Sequence, residues 1–215
     1  MIPVVLLSLF VAPADTIRPQ FRHPYECGDG WVYASNLHIA IRIKKKKVGV
    51  DFPSTYTPYA GAEERRYPNL PIPTDHFKAT ISLKALKKAM NRVPEVEEEN
   101  ICEECHGSGR VEWEYEAEDG EVYNDTFDCP VCHGQGDLGK TGRKIKDPKF
   151  YLLIEGMAYP QIEITPLIKA MEMLKIDSIK AVARSCGNLK LVVGDDIEII
   201  MAGGYAGTQK YIKVK

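Results

Sequence analysis

Apolar and polar side chains alternate along residues 30–43, GWVYASNLHIAIRI, with Leu37, Ile39, Ile41 and Ile43 on one side and His38, Ala40 and Arg42 on the other. A period of two belongs to a half-buried β-strand. Ser35 and Asn36 interrupt the run as a turn, which predicts two adjacent antiparallel strands. From Ser82 the period changes: Leu83, Leu86, Met90 and Val93 recur at helical spacing, with Lys84, Lys87 and Lys88 on the remaining surface and Pro94 at the end. That pattern is an amphipathic helix with a basic face. A second helix is expected to start at Thr165 as N-cap, with Pro166 in the first helical position, and to bury Leu167, Ile168, Met171 and Leu174. Strands are expected over 150–155, 179–184, 189–193, 197–201 and 211–214, and turns at 186–188 and 194–196 join three of them as a meander. Residues 51–75 are rich in proline and tyrosine and read as a connecting loop. The class is α+β, an antiparallel sheet with two packed helices.

Length and charge change this picture by dividing the chain. With 215 residues and 44% apolar content it buries a real core, as one domain with an insertion or as two small domains. The formal net charge of −2 conceals an asymmetry: 14 acidic residues and one basic residue, Arg110, lie between Pro94 and Asp128, and the totals of 30 and 28 leave 16 acidic against 27 basic elsewhere, about +11. An acidic module over 99–139 is therefore expected inside a basic body formed by 1–98 and 140–215. The apolar run MIPVVLLSLFVAPA has no Lys or Arg before it, so a signal segment and a buried first element both remain open. No other stretch approaches a membrane span, and the expected location is cytoplasmic.

Four of the six cysteines form two C-x-x-C pairs, Cys102 with Cys105 and Cys129 with Cys132, a pattern that suits a metal better than disulfides. Two intervening residues make a tight knuckle that brings both thiolates to one ion, and four thiolates complete a tetrahedral structural zinc site. Each pair runs into a glycine-rich tail, CHGSG and CHGQG, and the alternating VEWEYEAEDGEVYNDTFD between them, centred on Asp119-Gly120, predicts a β-hairpin that returns the second knuckle to the first. One zinc ion is expected. His106 and His133 stand next to the pairs but are surplus once four thiolates are bound. Cys27 and Cys186 lie apart and are assigned no role.

The two C-x-x-C-x-G-x-G units from Cys102 to Gly136 resemble the cysteine-rich zinc domain of DnaJ-type co-chaperones, which usually carries four such repeats and two zinc ions. The body resembles the DNA sliding-clamp fold of bacterial polymerase β subunits and related phage proteins. Thr16-Ile17-Arg18-Pro19, the strand Asp29 to Asn36 and the segment Ile199-Ile200-Met201 stand where that family has its "TRP" segment, its first domain strand and its closing strand. That resemblance implies a role in DNA replication through sequence-independent contact with the DNA backbone. The candidate contacts are Lys84, Lys87 and Lys88, with Lys44 and Lys45 from the Lys44–Lys47 run and, secondarily, Lys169 and Lys175. It also leaves a homo-oligomer open, because the chain is long enough for about one clamp domain and the insertion.

The leading expectation is thus a non-catalytic zinc-binding accessory of DNA metabolism, with DNA on the basic body and a protein partner on the acidic hairpin. The alternative is a chaperone or adaptor module that binds peptide through the hairpin and its Trp113, Tyr115, Tyr123 and Phe127. The chain carries no P-loop, G-x-S-x-G elbow or H-E-x-x-H helix, so no enzyme is expected.

Overall fold

The computed structural model describes residues 2–13, 21–26, 28–52, 73–118, 120–185, 187–205, 207 and 209–215. The chain separates into two compact units, Met1–Val93 with Pro148–Lys215, and Pro94–Asp147. In chain order the elements are α1 (Val5–Ser8), β1 (Tyr25–Glu26), β2 (Trp31–Ser35), β3 (Ile39–Lys44), α2 (Lys45–Val48), β4 (His76–Ser82), α3 (Leu83–Asn91), β5 (Glu95–Ile101), β6 (Arg110–Glu116) and β7 (Val122–Asp128). They continue as β8 (Asp137–Lys146), β9 (Phe150–Ile154), β10 (Met157–Pro160), α4 (Gln161–Met173), β11 (Ser178–Ser185), β12 (Asn188–Val193), β13 (Ile197–Ala202), β14 (Gly204–Tyr205) and β15 (Lys210–Lys213). No helix among the described residues is long and apolar enough to cross a membrane.

The larger unit is built on a seven-stranded antiparallel sheet, β1-β2-β3-β13-β12-β11-β4, with a second sheet, β14-β10-β9-β15, in which β15 runs parallel to β9. The period-two pattern explains its register. Ala34, Ile41, Ile199, Leu191 and Ala181 stand opposite one another across five strands and are all buried. Each fully buried Ile or Leu in such a row contributes about 1.5–3 kcal/mol. The adjacent row is polar: Arg42 stands opposite Glu198 and pairs with it at 2.6 Å, and Lys190 reaches the same carboxylate at 3.0 Å. The β2–β3 turn falls where Ser35 and Asn36 mark it, with the Asn36 side chain accepting from the His38 and Ile39 N–H groups.

Helix α3 starts where expected, with the Ser82 hydroxyl accepting from the Ala85 N–H and with Leu86 and Ala89 buried. Helix α4 corrects the sequence expectation. It begins at Gln161 after Pro160, four residues before Thr165, and Pro166 lies inside it. A first-position preference for proline is a weak prior, and burial outweighs it here: Ile164, Leu167, Ala170 and Met171 extend the apolar stripe back into the earlier turn. Pro166 offers no N–H to the Ile162 carbonyl, and that turn is at the surface, with Ile162 exposed. The architecture is mostly antiparallel sheet with few helices, richer in sheet than the α+β balance expected. At the N-terminus the apolar run forms α1 and buries Leu6, Leu7 and Phe10. Most of the 51–75 loop, the Thr16–Pro19 segment, Asp119, Cys27 and Cys186 lie outside the described residues.

The smaller unit extends beyond 99–139 at both ends, because β5 before the cysteines and β8 after them pair as an antiparallel ribbon. Glu95 stands opposite Lys146, Glu97 opposite Lys144 and Glu99 opposite Lys140. Ion pairs Lys146–Glu95 at 3.0 Å and Lys140–Glu97 at 3.4 Å bridge the ribbon, and the Asp147 N–H donates to the Pro94 carbonyl at 2.9 Å where it closes. Beyond the cysteines, β6 and β7 form the hairpin.

Candidate metal centre

Two knuckles of the same build face each other at the head of the hairpin. In each, the N–H of the residue two beyond the second cysteine donates back to the first cysteine's carbonyl: Gly107 to Cys102 and Gly134 to Cys129, both at 3.2 Å. The following N–H groups, of Ser108 and Gln135, reach the carbonyls of Cys105 and Cys132 at 2.9 and 3.0 Å. The next N–H groups turn onto sulfur, Gly109 to Cys105 Sγ at 3.3 Å and Gly136 to Cys132 Sγ at 3.2 Å. The knuckles are then stitched crosswise, Cys102 N–H to the Gly136 carbonyl at 3.0 Å and Cys129 N–H to the Gly109 carbonyl at 2.7 Å. An approximate two-fold relates the halves.

This crossing explains two of the glycines. Gly109 and Gly136 hold φ of +73° and +84°, and a Cβ on them would meet the Gly134 carbonyl oxygen at 2.3 Å and the Gly107 carbonyl oxygen at 2.6 Å. No side chain fits either place.

The four sulfurs lie within 4.8 Å of one another, all on buried residues. Cys102 and Cys129 are 3.8 Å apart and Cys105 and Cys132 3.7 Å. A zinc ion with sulfur ligands at about 2.3 Å has tetrahedral edges of about 3.8 Å, so these separations fit that ion. They are far longer than the ~2.05 Å of a disulfide, and all four cysteines are free. The acid–base balance of the cluster points the same way. Burial opposes ionisation of Cys105, but the Gly109 N–H and the Cys132 and Cys102 thiols outweigh it and bring that thiol down to about 7. At Cys102 the Cys105 N–H favours the thiolate, yet burial and the Cys105 and Cys129 thiols push it up to about 11. Four thiolates this close cannot all ionise without a cation among them. The cluster can therefore hold a metal with the chemistry of zinc: a closed four-sulfur shell, structural rather than catalytic.

The rest of the unit is poor in buried apolar side chains. Along β5, β6, β7 and β8 nearly every residue is exposed or half-buried, and Val111 is the one apolar side chain packed on the cysteines among the described residues. A unit this poor in apolar burial would gain much of its stability from a metal held by the four sulfurs. His106 and His133 take left-handed φ values of 49° and 53° and project into solvent outside the sulfur cluster.

The basic candidates fall into two groups. Lys84 and Lys88 are exposed, make no ion pair among the described residues, and line one open cleft of about 370 Å³ with Lys215, Thr80, Ser82 and one carboxylate, Glu155. Lys87 pairs with Glu172. Lys44 is half-buried and 3.9 Å from Asp196, and Lys45 is held between Glu26 at 2.8 Å and Asp51 at 2.9 Å. Lys169 and Lys175 are both exposed. The structure thus brings Lys84 and Lys88 together and turns Lys44 and Lys45 toward their own carboxylates. Sequence reasoning missed Glu163, which is fully buried in the first turn of α4 with no hydrogen-bond partner for either carboxylate oxygen among the described residues. Nothing in its local sequence marks it, since an acidic residue in a first helical turn is ordinary.

No family model matches this chain, and no curated protein matches it. Among solved structures it is similar to the DNA polymerase III β subunit from Borrelia burgdorferi at 15% identity and a TM-score of 0.45, over 95% of this chain and 62% of that one. It is similar also to the DNA polymerase sliding clamp from Bacillus subtilis at 11% identity and a TM-score of 0.43, over 96% and 64%. The β subunit from Thermotoga maritima gives 10% identity and a TM-score of 0.46, over 95% and 62%. The chain thus spans less than two-thirds of the length of each. At these scores the likeness assigns no residue and no activity to this chain.

Proposed function

We propose that this chain is a non-catalytic accessory protein of DNA metabolism, whose basic body rests on the DNA phosphate backbone while a zinc-held acidic unit engages a protein partner. One observation carries the reading: charge divides along the structural boundary. Residues 94–147 hold 16 acidic and 5 basic residues, and the totals of 30 and 28 leave 14 acidic against 23 basic in the body, about +9. A body of that charge attracts phosphate, and a unit of opposite charge is repelled by it. Lys84 and Lys88, unpaired among the described residues and sharing one cleft, are the foremost candidates to meet phosphate, with Lys87 beside them. The adaptor reading is favoured separately by the exposed aromatics of the hairpin.

A titration of fluorescent duplexes of unrelated sequence tests the DNA half. Binding is expected to be indifferent to sequence and to weaken steeply with salt, and Lys84→Glu with Lys88→Glu should lower the slope of log K against log salt by about 0.9 for each phosphate no longer neutralised. Salt-independent or sequence-selective binding, or none at low salt, would contradict it.

A further inference from the structure

In an antiparallel ribbon, residues directly opposite each other project to the same face. The β6–β7 register therefore places Val111, Trp113 and Tyr115 with Phe127, Asp125 and Tyr123 on one face, and Glu112, Glu114 and Glu116 with Thr126, Asn124 and Val122 on the other. The first face is aromatic and uncovered: Trp113 is 59% exposed, Tyr115 66%, Tyr123 56% and Phe127 50%. Trp113 and Phe127 meet edge to face at 6.1 Å, so the patch is ordered against itself, with no second layer over it among the described residues. The reverse face accounts for solubility, since charged ribbons resist edge-to-edge aggregation. It does not account for four large aromatics gathered on the opposite side, which is what interaction surfaces do.

The charge around the patch selects what can cover it. From Cys102 to Gly136 there are 10 acidic residues and one basic, Arg110, whose guanidinium is already donating to the Thr126 carbonyl at 3.0 Å. Asp125 stands within the aromatic face, opposite Trp113. Such a surface repels nucleic acid and acidic proteins, and it attracts cations that also carry apolar area. Guanidinium groups stack on indole and phenol faces while pairing with carboxylates beside them. The backbone adds a direction: β6 and β7 form a two-stranded sheet, so each has an outer edge with no neighbouring strand among the described residues. An extended segment can hydrogen-bond along such an edge.

We infer that the aromatic face of the β6–β7 ribbon receives an extended, cationic segment of a partner protein, in which Arg or Lys alternates with apolar residues. The inference rests on reading the hairpin as the protein-contacting unit, and is independent of DNA contact by the body. The knuckles hold both strands from one end, so the face is formed before the partner arrives and little ordering is lost on binding.

The test uses the full chain, purified reduced with zinc, and fluorescent peptides alternating Arg with Val or Glu with Val. The Arg peptide should bind and weaken as salt rises, and the Glu peptide should not bind. Trp113→Ala and Tyr115→Ala should each weaken binding by about tenfold or more, as central aromatic anchors do. Unchanged zinc content in both variants would separate loss of the face from loss of the fold. Lys84→Glu with Lys88→Glu should leave peptide binding intact, so failure of the DNA reading and failure of this one are told apart. Equal binding of the Glu peptide, no binding of the Arg peptide at low salt, or indifference to both aromatic variants would overturn the inference. So would self-association that Trp113→Ala abolishes, because the occupant would then be the basic body of a second copy.

Discussion

Replacing Glu163 with Gln should remove a loss of stability that the wild-type protein suffers as pH rises. The carboxyl is fully buried and lacks a hydrogen-bond partner among the described residues; the nearby Ala202 N–H donates to the His38 carbonyl at 2.9 Å. Burial raises its pKa to about 9, with the Ala202 N–H opposing only in part. In the fold the group keeps its proton at neutral pH, whereas in the unfolded chain it loses it near 4.5. The folded state therefore binds one proton more than the unfolded state between these values, and stability falls as pH rises. The contribution is whole below pH 4.5 and declines by about 1.4 kcal/mol per pH unit through the window until pH 9. From pH 5 to pH 8 this amounts to a loss on the order of 4 kcal/mol, a large share of a typical domain's stability. Gln has nearly the same shape and no charge to bury, although its buried amide costs about 1–3 kcal/mol if it stays unpaired. The variant should thus be equal or weaker at pH 5 and stronger at pH 8. Urea unfolding followed by circular dichroism suits the comparison, because α3 and α4 both lie in the body unit. Groups that do not interact with Glu163 cancel in the difference between the two proteins, and Tyr159, which burial and the Glu163 charge both push up, titrates above the pH 5–8 window. Parallel stability–pH curves, or a wild type that gains on the variant as pH rises, would refute the reasoning.

Two further outcomes concern the smaller unit. Gly109→Ala places a methyl group 2.3 Å from the Gly134 carbonyl oxygen and should displace a knuckle and release metal, whereas Gly120→Ala, at φ +82° with nothing within 4 Å, should cost about 1 kcal/mol and keep the metal, as read by zinc content and thermal melting. Replacing residues 94–147 with a short flexible linker should leave a body that melts cooperatively and binds DNA at least as well, since Pro94 and Asp147 are joined by a hydrogen bond and the unit removed is acidic; an aggregated product would show that the two units share a core.

The elements most legible in the sequence are those whose burial leaves a period. Helix α3 and the rows Ile39, Ile41, Ile43 and Ile197, Ile199, Met201 bury one face with a regular period, while Tyr33, Ala40 and Ile200 show that part of the opposite sheet face is buried as well. The four cysteines were legible for another reason: two C-x-x-C pairs mark a candidate metal site by their spacing, and the fold brings all four sulfurs together. The β5–β8 ribbon was not legible: both faces meet solvent, so no apolar alternation exists, and its cross-strand ion pairs appear only once the register is known. Helix α4 starts earlier than Thr165-Pro166 alone suggests, because burial of Ile164 outweighs the preference of proline for a first helical position. The fates of Lys44 and Lys45 depend on Asp196, Glu26 and Asp51, which folding alone brings near. Glu163 belongs to the same class, since its burial is set by tertiary packing.

The four-cysteine cluster is central, because it is the only buried cluster of the acidic unit among the described residues. Elemental analysis combined with X-ray absorption on protein purified under reducing conditions addresses it directly. The expected result is about one zinc per chain with four sulfur neighbours at about 2.3 Å, and loss of that signal in Cys102→Ser and Cys129→Ser. No bound metal, a stoichiometry near two, or a shell containing nitrogen or oxygen in place of sulfur would contradict it.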